Sequence, residues 1–267
     1  MRRVLTLLVT LVVTAAPAMA ATGAMAGTGA KASPRKSASP PDLTGVWLGY
    51  YAGEAPAAYR NTAYPFPPPF TPEGRKASAS WANPRNNQGA KCLPGGGPAG
   101  SMNGGSYFPI EIIQRKEQVT ILLELMQQVR RVFMDGRPHP GPDDLEKTWM
   151  GHSIGHWDGD TLVIDTVGVR SGSLNGSGAT VIVQASDKDP RMPYDEQMHL
   201  VERMRLLDDG KVLEDEQTIT DPTLYTRPLV VKRYWTRSDA PMLEYVCTEN
   251  QRPVDEGSAF GPEASTP

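Results

Sequence analysis

Residues 197–220, QMHLVERMRLLDDGKVLEDEQTIT, decide the fold, because two segments of alternating apolar and polar residues flank the pair Asp209-Gly210. Alternation is typical of a strand with one buried face, and Asp-Gly favours the type I′ turn of a β-hairpin. Counting outward from the turn gives the cross-strand neighbours on each face. The inner-face pairs are Leu206 with Leu213, Met204 with Asp215, Glu202 with Gln217, and Leu200 with Ile219, and the outer-face ion pairs are Arg205 with Glu214 and Arg203 with Glu216.

The same kind of pattern continues along the chain. Nine segments are predicted to be strands: 43–51, 108–115, 118–125, 129–134, 150–157, 160–168, 197–207, 211–220 and 228–236. Tight-turn residues at Lys116-Glu117 and Asp158-Gly159 separate several of them, which favours consecutive hairpins. A meander of this length removes its exposed edges most simply by closing. The prediction is an all-β, antiparallel up-and-down barrel of eight or nine strands.

A long insertion separates the first strand from the rest. Residues 52–106 are rich in Gly, Pro, Asn and Ser, which predicts an extended excursion from the barrel. One short helix is expected within it, because Thr71 is a good N-cap, Pro72 suits the first turn and Glu73 complements the helix dipole. This helix should end near Asn83-Pro84.

Composition and charge exclude two classes of protein. The 267 residues include 27 Lys+Arg and 30 Asp+Glu, so the chain lacks the basic excess of a nucleic-acid-binding protein. The 26 Gly and 25 Pro predict many turns and argue against a helical bundle.

The N-terminus predicts export. A basic start, an apolar segment and the A-x-A sequence Ala18-Met19-Ala20 are typical of a signal peptide over residues 1–20. We expect a disordered leader at 21–41, a single domain at 42–252 and a flexible tail at 253–267. Cleavage would leave no membrane-inserted segment and a periplasmic or secreted protein.

Two cysteines, Cys92 and Cys247, are the only ones in the chain. An even pair in an oxidising compartment usually forms a disulfide, and this one would join the Gly-rich insertion to the C-terminal region. The alternative is a catalytic thiol.

The hairpin predicted around Asp158-Gly159 carries the candidate catalytic groups. A turn at Asp158-Gly159 would place His152 directly opposite Asp165, with His156 further along the same face. A histidine held by a carboxylate keeps a defined tautomer, as a general base requires. Glu202 points inward by the first register, so it needs a cationic partner such as an arginine, or a polar cavity. The alternative is a structural His–Asp pair.

Other histidines and Ser153 suggest weaker possibilities. Residues 151–155, GHSIG, match the G-x-S-x-G element of serine hydrolases, which would make Ser153 a nucleophile, but no helix follows the motif. His152 and His156 lie too far apart on a strand, about 13 Å, to share one metal ion, so no metal is expected. His139 is expected to be exposed in a turn, and His199 to face outward.

Aromatic residues are candidates for ligand binding. They are Trp47, Trp149, Trp157 and Tyr225. Such side chains can line a pocket for a flat or apolar ligand. The alternative is that the tryptophans plug the barrel and cap its ends.

Two resemblances accompany these residues. Leu43-Thr44-Gly45-Val46-Trp47 resembles the G-x-W opening of the calycin group, which includes lipocalin-type barrels. Residues 148–166, TWMGHSIGHWDGDTLVIDT, together with 135–140 and 221–226, resemble an uncharacterised family of secreted bacterial proteins. Calycin membership implies a central cavity for a small, largely apolar molecule.

The expected function is cofactor-independent acid/base catalysis of a lyase, isomerase or cyclase reaction in this cavity. His152 is the expected base, Asp165 its orienting group, and His156 and Glu202 the acid or second proton carrier. The alternatives are a binding protein without turnover and a serine hydrolase. The expected partner is an apolar or aromatic small molecule.

Overall fold

The computed structural model of the protein describes residues 39–50, 55–83, 86, 88–103, 108–175 and 190–247. The predicted signal peptide, nearly all of the leader and the C-terminal tail lie outside these residues. No helix in the described ranges is long and apolar enough to cross a membrane.

Nine strands form a closed barrel, which confirms the predicted all-β architecture. They are β1 (Gly45–Gly49), β2 (Ile110–Gln114), β3 (Gln118–Leu123), β4 (Gln128–Phe133), β5 (His152–Asp158), β6 (Thr161–Val167), β9 (His199–Leu207), β10 (Val212–Thr220) and β11 (Leu229–Ser238). A separate two-stranded sheet consists of β7 (Gly172–Ser173) and β8 (Pro193–Tyr194). The order around the barrel is β1, β11, β10, β9, β6, β5, β4, β3, β2.

One neighbouring pair departs from the predicted antiparallel arrangement. β4 and β5 run parallel, with Val132 opposite Ser153 and Phe133 opposite Ile154. A parallel pair cannot be joined by a tight turn, because the chain must first return to the end at which the previous strand began. Residues 134–151 make this return, and they bring His139 against the barrel wall.

The first hairpin has the predicted register. All four inner-face pairs between β9 and β10 are observed, so Glu202 lies opposite Gln217. The turn uses left-handed backbone at Asp208, Asp209 and Gly210. On the outer face, Arg205 and Glu214 form the expected ion pair at 2.7 Å.

The second predicted ion pair is wrong. Arg203 lies opposite Glu216 but bonds Asp158 at 2.8 Å, while Glu216 pairs with Lys232 at 3.1 Å. Asp158 is on β5, one strand beyond β6, and Lys232 is on β11, which adjoins β10.

The described part of the insertion packs against the barrel. Helix α1 (Pro72–Trp81) begins as predicted, with the Thr71 side chain accepting a hydrogen bond from the Gly74 backbone at 3.0 Å. A second short helix, α2 (Gly97–Ser101), was not expected from its Gly/Pro-rich sequence, and four of its five residues are buried. Cys92 and Cys247 form the predicted disulfide.

Two apolar clusters fill the interior. One lies in the lumen and includes Trp47, Met102, Ile121, Leu213 and Trp235. The other lies beneath the insertion and joins Ala99 of α2 to Tyr194, Leu200, Ile219 and Tyr225. The lumen therefore holds a packed core between the strands.

Candidate functional site

The hairpin of β5 and β6 is offset from its predicted register. Gly159 and Asp160 form the turn, and Asp158 pairs with Thr161. His152 consequently lies opposite Val167, and Asp165 lies opposite Ile154. The offset is two residues, so each side chain keeps the face that the sequence predicted, but His152 and Asp165 are diagonal rather than direct neighbours.

That face is the outer wall of the barrel. Ser153, Ile164 and Thr166, which alternate with His152 and Asp165, are almost completely buried inside. The expectation that His152 and Asp165 project into the lumen is therefore wrong. The inner positions of these strands carry the side chains that pack in the core.

Four side chains form a continuous His–Asp cluster on this wall: His152, His139, Asp165 and His199. The Nδ1 atoms of His139 and His152 are 2.8 Å apart. His139 Nε2 lies 3.0 Å from Asp165 Oδ1, and His199 Nε2 lies 2.8 Å from the same oxygen. The cluster joins two barrel strands, β5 and β6, to the start of β9 and to the returning segment 134–151.

The hydrogen bonds of the cluster determine which ring nitrogens carry protons. An ionised Asp165 only accepts, so His139 must donate from Nε2. With this tautomer the Nδ1 of His139 is unprotonated and accepts a hydrogen bond from His152 Nδ1–H. His152 is left with an unprotonated Nε2, which is the lone pair of a general base.

Electrostatics separates the two end histidines. Partial burial lowers the pKa of His152 below its usual value, and the nearby positive charge of Arg137 lowers it further. The hydrogen bond to Asp165 raises the pKa of His199. The same bond, and the one from His139, lower the pKa of Asp165. At neutral pH the cluster thus combines a neutral His152 with an ionised Asp165.

An aromatic side chain lies beside the base. The ring of Phe133 is 5.3 Å from the ring of His152. The Arg137 guanidinium also contacts Phe133, at 4.0 Å from the centre of its ring. Arg137 is held by Asp135. Within the described ranges, no group of three or more histidine, cysteine, aspartate and glutamate side chains is arranged to hold a metal ion.

Glu202 does not belong to the His–Asp cluster. It is fully buried in the lumen and forms a two-pronged ion pair with Arg130. Arg130 also donates to Ser153 and Thr166 at 3.2 and 2.9 Å. The predicted arginine partner is therefore present, and Glu202 is separated from His152 by the barrel wall.

A second acid lies near this pair. Asp215 is completely buried and accepts a hydrogen bond from the Gln217 amide at 2.8 Å. Burial raises the pKa of Asp215 well above its usual range, and the negative charge of Glu202 raises it further. The raised pKa favours the protonated, uncharged form of Asp215, while Arg130 and Glu202 form the ion pair.

Two other sequence candidates are also separate from the cluster. His156 is exposed, and it lies opposite Val163. Ser153 is buried in the lumen with Arg130 and Thr166 as its hydrogen-bond partners. The described structure shows no hydrogen bond from a histidine to Ser153, and the strand continues through it without the turn that exposes a hydrolase nucleophile.

The four aromatic candidates do not share one pocket. Trp47 is fully buried in the core and donates its indole N–H to the Leu43 carbonyl. Trp157 packs against the same core, and Trp149 lies under Arg170. Tyr225 is buried in the other cluster and donates to the Pro193 carbonyl. Trp47 therefore plugs the barrel core, which was the alternative to ligand binding.

Three important residues were not identified from the sequence. His139 was expected to be exposed in its turn, and His199 was placed on the outer face without a role. Arg130 was not singled out, although an inward Glu202 required such a partner. The available signal was that Arg130 lies two residues before Val132 on an alternating strand, so that both side chains share one face.

The fold and the cluster together define a β-barrel protein with a histidine-rich site on its outer wall. Comparison of the chain with models of known protein families and with curated proteins gives no match. The resemblance to calycins and to a family of secreted bacterial proteins stays a prediction.

Proposed function

We propose that the protein is a periplasmic or secreted enzyme that performs cofactor-independent acid/base chemistry, of the lyase, isomerase or cyclase type, on an apolar or aromatic small molecule. The supporting observation is the continuous hydrogen bonding from His152 through His139 to Asp165. The disulfide supports the oxidising compartment.

In the proposed reaction, His152 Nε2 removes a proton from the substrate. The positive charge that develops on His152 is stabilised through His139 by the Asp165 carboxylate. His139 and Asp165 are positioning residues, because they act through the His152 ring. His199 holds Asp165 from its other side. The Phe133 ring beside His152 supports the choice of an apolar or aromatic substrate.

The test measures proton removal directly. The protein is incubated in D₂O with phenylacetone and 2-phenylcyclohexanone, and deuterium next to the carbonyl is measured by mass spectrometry. Even an isomerase whose product has an unchanged mass would give a signal. We expect exchange above the buffer rate, and a positioned base contributes about 10²–10⁴-fold. His152→Gln should remove that factor.

Two further variants separate catalysis from folding. His156→Gln is the matched control, because His156 lies on the same strand outside the cluster, and it should leave exchange unchanged. Asp165→Asn should lower the rate and change its pH profile, because His139 loses its carboxylate acceptor. Absence of exchange above buffer, or equal rates in folded His152→Gln, would contradict the proposal and favour binding without turnover.

A further inference from the structure

A second site lies away from the His–Asp cluster, at Arg233. This residue is on β11, and its side chain points inward with only 6% of its surface exposed. β1 pairs with β11 only from Trp235 to Ser238. The part of β11 that carries Arg233 is instead bordered by Thr62, whose backbone N–H donates to the Lys232 carbonyl at 3.0 Å.

The Arg233 guanidinium forms no ion pair with a carboxylate of the described residues. The other buried arginine of the lumen, Arg130, pairs with Glu202. Asp215 lies opposite Arg233 across β10 and β11, but its carboxyl group bonds the Gln217 amide and not the guanidinium, and burial raises its pKa. A buried charge without a counter-charge is costly, so the site favours an anion.

One edge of the guanidinium has no hydrogen-bond partner among the described residues. Arg233 Nη1 donates to the Thr62 carbonyl at 2.6 Å. Nε is buried and has no hydrogen-bond partner in the described structure. The Nε and Nη2 hydrogens lie parallel along the remaining edge, which matches the two oxygens of a carboxylate. The Tyr64 hydroxyl is also buried and without a hydrogen-bond partner there, and the Tyr64 ring faces the guanidinium.

The space in front of Arg233 is a cleft of about 330 Å³, hereafter the Arg233 cleft. Its walls include Thr62, Tyr64, Phe66, Pro68 and Met192. The Arg233 guanidinium carbon lies 5.1 Å from the centre of the Tyr64 ring, so the cation and the ring are already stacked. The volume is at the small end of the range for ligand pockets, and the lining is mostly apolar.

We propose that the Arg233 cleft binds a small aromatic carboxylate, with the acid group on the Nε edge of Arg233 and the ring among Tyr64, Phe66 and Pro68. The carboxylate supplies the missing counter-charge, and the aromatic and proline side chains contact a flat apolar body. This inference is independent of the acid/base function, because the cleft shares no residue with the His–Asp cluster.

Calorimetric titration of the full chain with 1-naphthoate tests the site. We expect saturable binding by the unmodified protein and at least tenfold weaker binding of the neutral 1-naphthamide. Arg233→Gln should weaken 1-naphthoate binding at least tenfold. Lys232→Gln, a change of the neighbouring outward-facing cation, should leave it unchanged. Inorganic phosphate at the same concentration should not compete.

Three results would overturn the proposal. They are absence of saturable 1-naphthoate binding, equal affinity for acid and amide, and displacement of 1-naphthoate by inorganic phosphate at the same concentration. Chemical unfolding without ligand gives a second readout. Since Arg233→Gln removes a buried cation that forms no ion pair, the variant should be at least as stable as the original protein. If the arginine were purely structural, the variant would be less stable, and the acid and the amide would bind equally well.

Discussion

Arg130 and Glu202 are the most completely buried charged pair in the described structure. Their side chains are 1% and 0% exposed, and the pair occupies the lumen beside Met102, Ser153 and Thr166. Every prong of the guanidinium is therefore occupied. A network of this kind stabilises the native state only while both charges are present, because either one alone would be buried without its counter-charge.

At the residue scale, Glu202→Gln should lower the free energy of unfolding by about 3–5 kcal/mol, since Arg130 keeps its charge and loses its partner. Urea unfolding followed by circular dichroism measures this. Asp158→Asn is the control, because it breaks the exposed pair with Arg203 and should cause no measurable change. A similar loss in both variants would show that the burial of the pair does not matter.

Side-chain faces could be predicted from the sequence, but the contacts of the site could not. Parity along β5 and β6 correctly placed His152 and Asp165 on one face. It could not tell which face was the lumen, because Ser153 and Thr166 alternate with the histidine and are buried through Arg130. His139 comes from a Pro-rich connection without periodicity, so nothing local indicated its contact with His152.

At the element scale, Gly74 fixes the position of helix α1. A Cβ at this position would lie 2.1 Å from the Leu224 carbonyl oxygen, which is backbone and cannot move aside. Thr71, the N-cap, also donates its hydroxyl proton to the Thr223 carbonyl at 2.6 Å. The first turn of α1 is thus packed directly on the connection between β10 and β11.

Gly74→Ala should therefore destabilise the protein by about 1–3 kcal/mol, as overpacking does. Alanine favours a helix over glycine by about 1 kcal/mol, so a gain would be expected if the site were open. Thermal unfolding compares this variant with Gly141→Ala, a position with no atom within 4 Å of the added Cβ. Equal melting temperatures in the two variants would contradict the close approach.

Elements with strong local signals were predictable, and those set by distant contacts were not. The Asp209-Gly210 turn gave the register of β9 and β10 correctly. In the hairpin of β5 and β6 the turn is Gly159-Asp160 instead of Asp158-Gly159, because Asp158 pairs with Thr161. The parallel pairing of β4 with β5 depends on the path of residues 134–151, which has no sequence signature of its own.

At the scale of the whole molecule, the disulfide restricts the unfolded chain. Cys92 and Cys247 are separated by 155 positions, and the bond ties the insertion to the C-terminal segment. The loop-entropy model gives a stabilisation of about 4–5 kcal/mol for a loop of this length. Replacing both cysteines by serine should lower the unfolding free energy by that order, measured in urea. A loss below about 1 kcal/mol would show that the model fails here.

The barrel could be predicted as a whole because nine alternating segments need partners on both edges. The way in which the insertion packs on the barrel could not be predicted. Its Gly-rich residues 97–100 are buried under Leu174, a contact that depends on close backbone packing rather than on hydrophobic periodicity. The lumen, which was expected to be hollow, is occupied by core side chains. Some of them, such as Met102, enter it from the insertion.

The most direct test of the proposed base is the protonation state of the imidazole nitrogens, measured by ¹⁵N NMR across a pH titration. We predict that His152 carries its proton on Nδ1 and titrates below the ordinary value of 6.5, while His199 titrates above it. The base is then fully available at pH 7 and is lost as the pH falls through the lowered pKa of His152. A His152 ring protonated on Nε2 at neutral pH, or titrating above His199, would contradict the account.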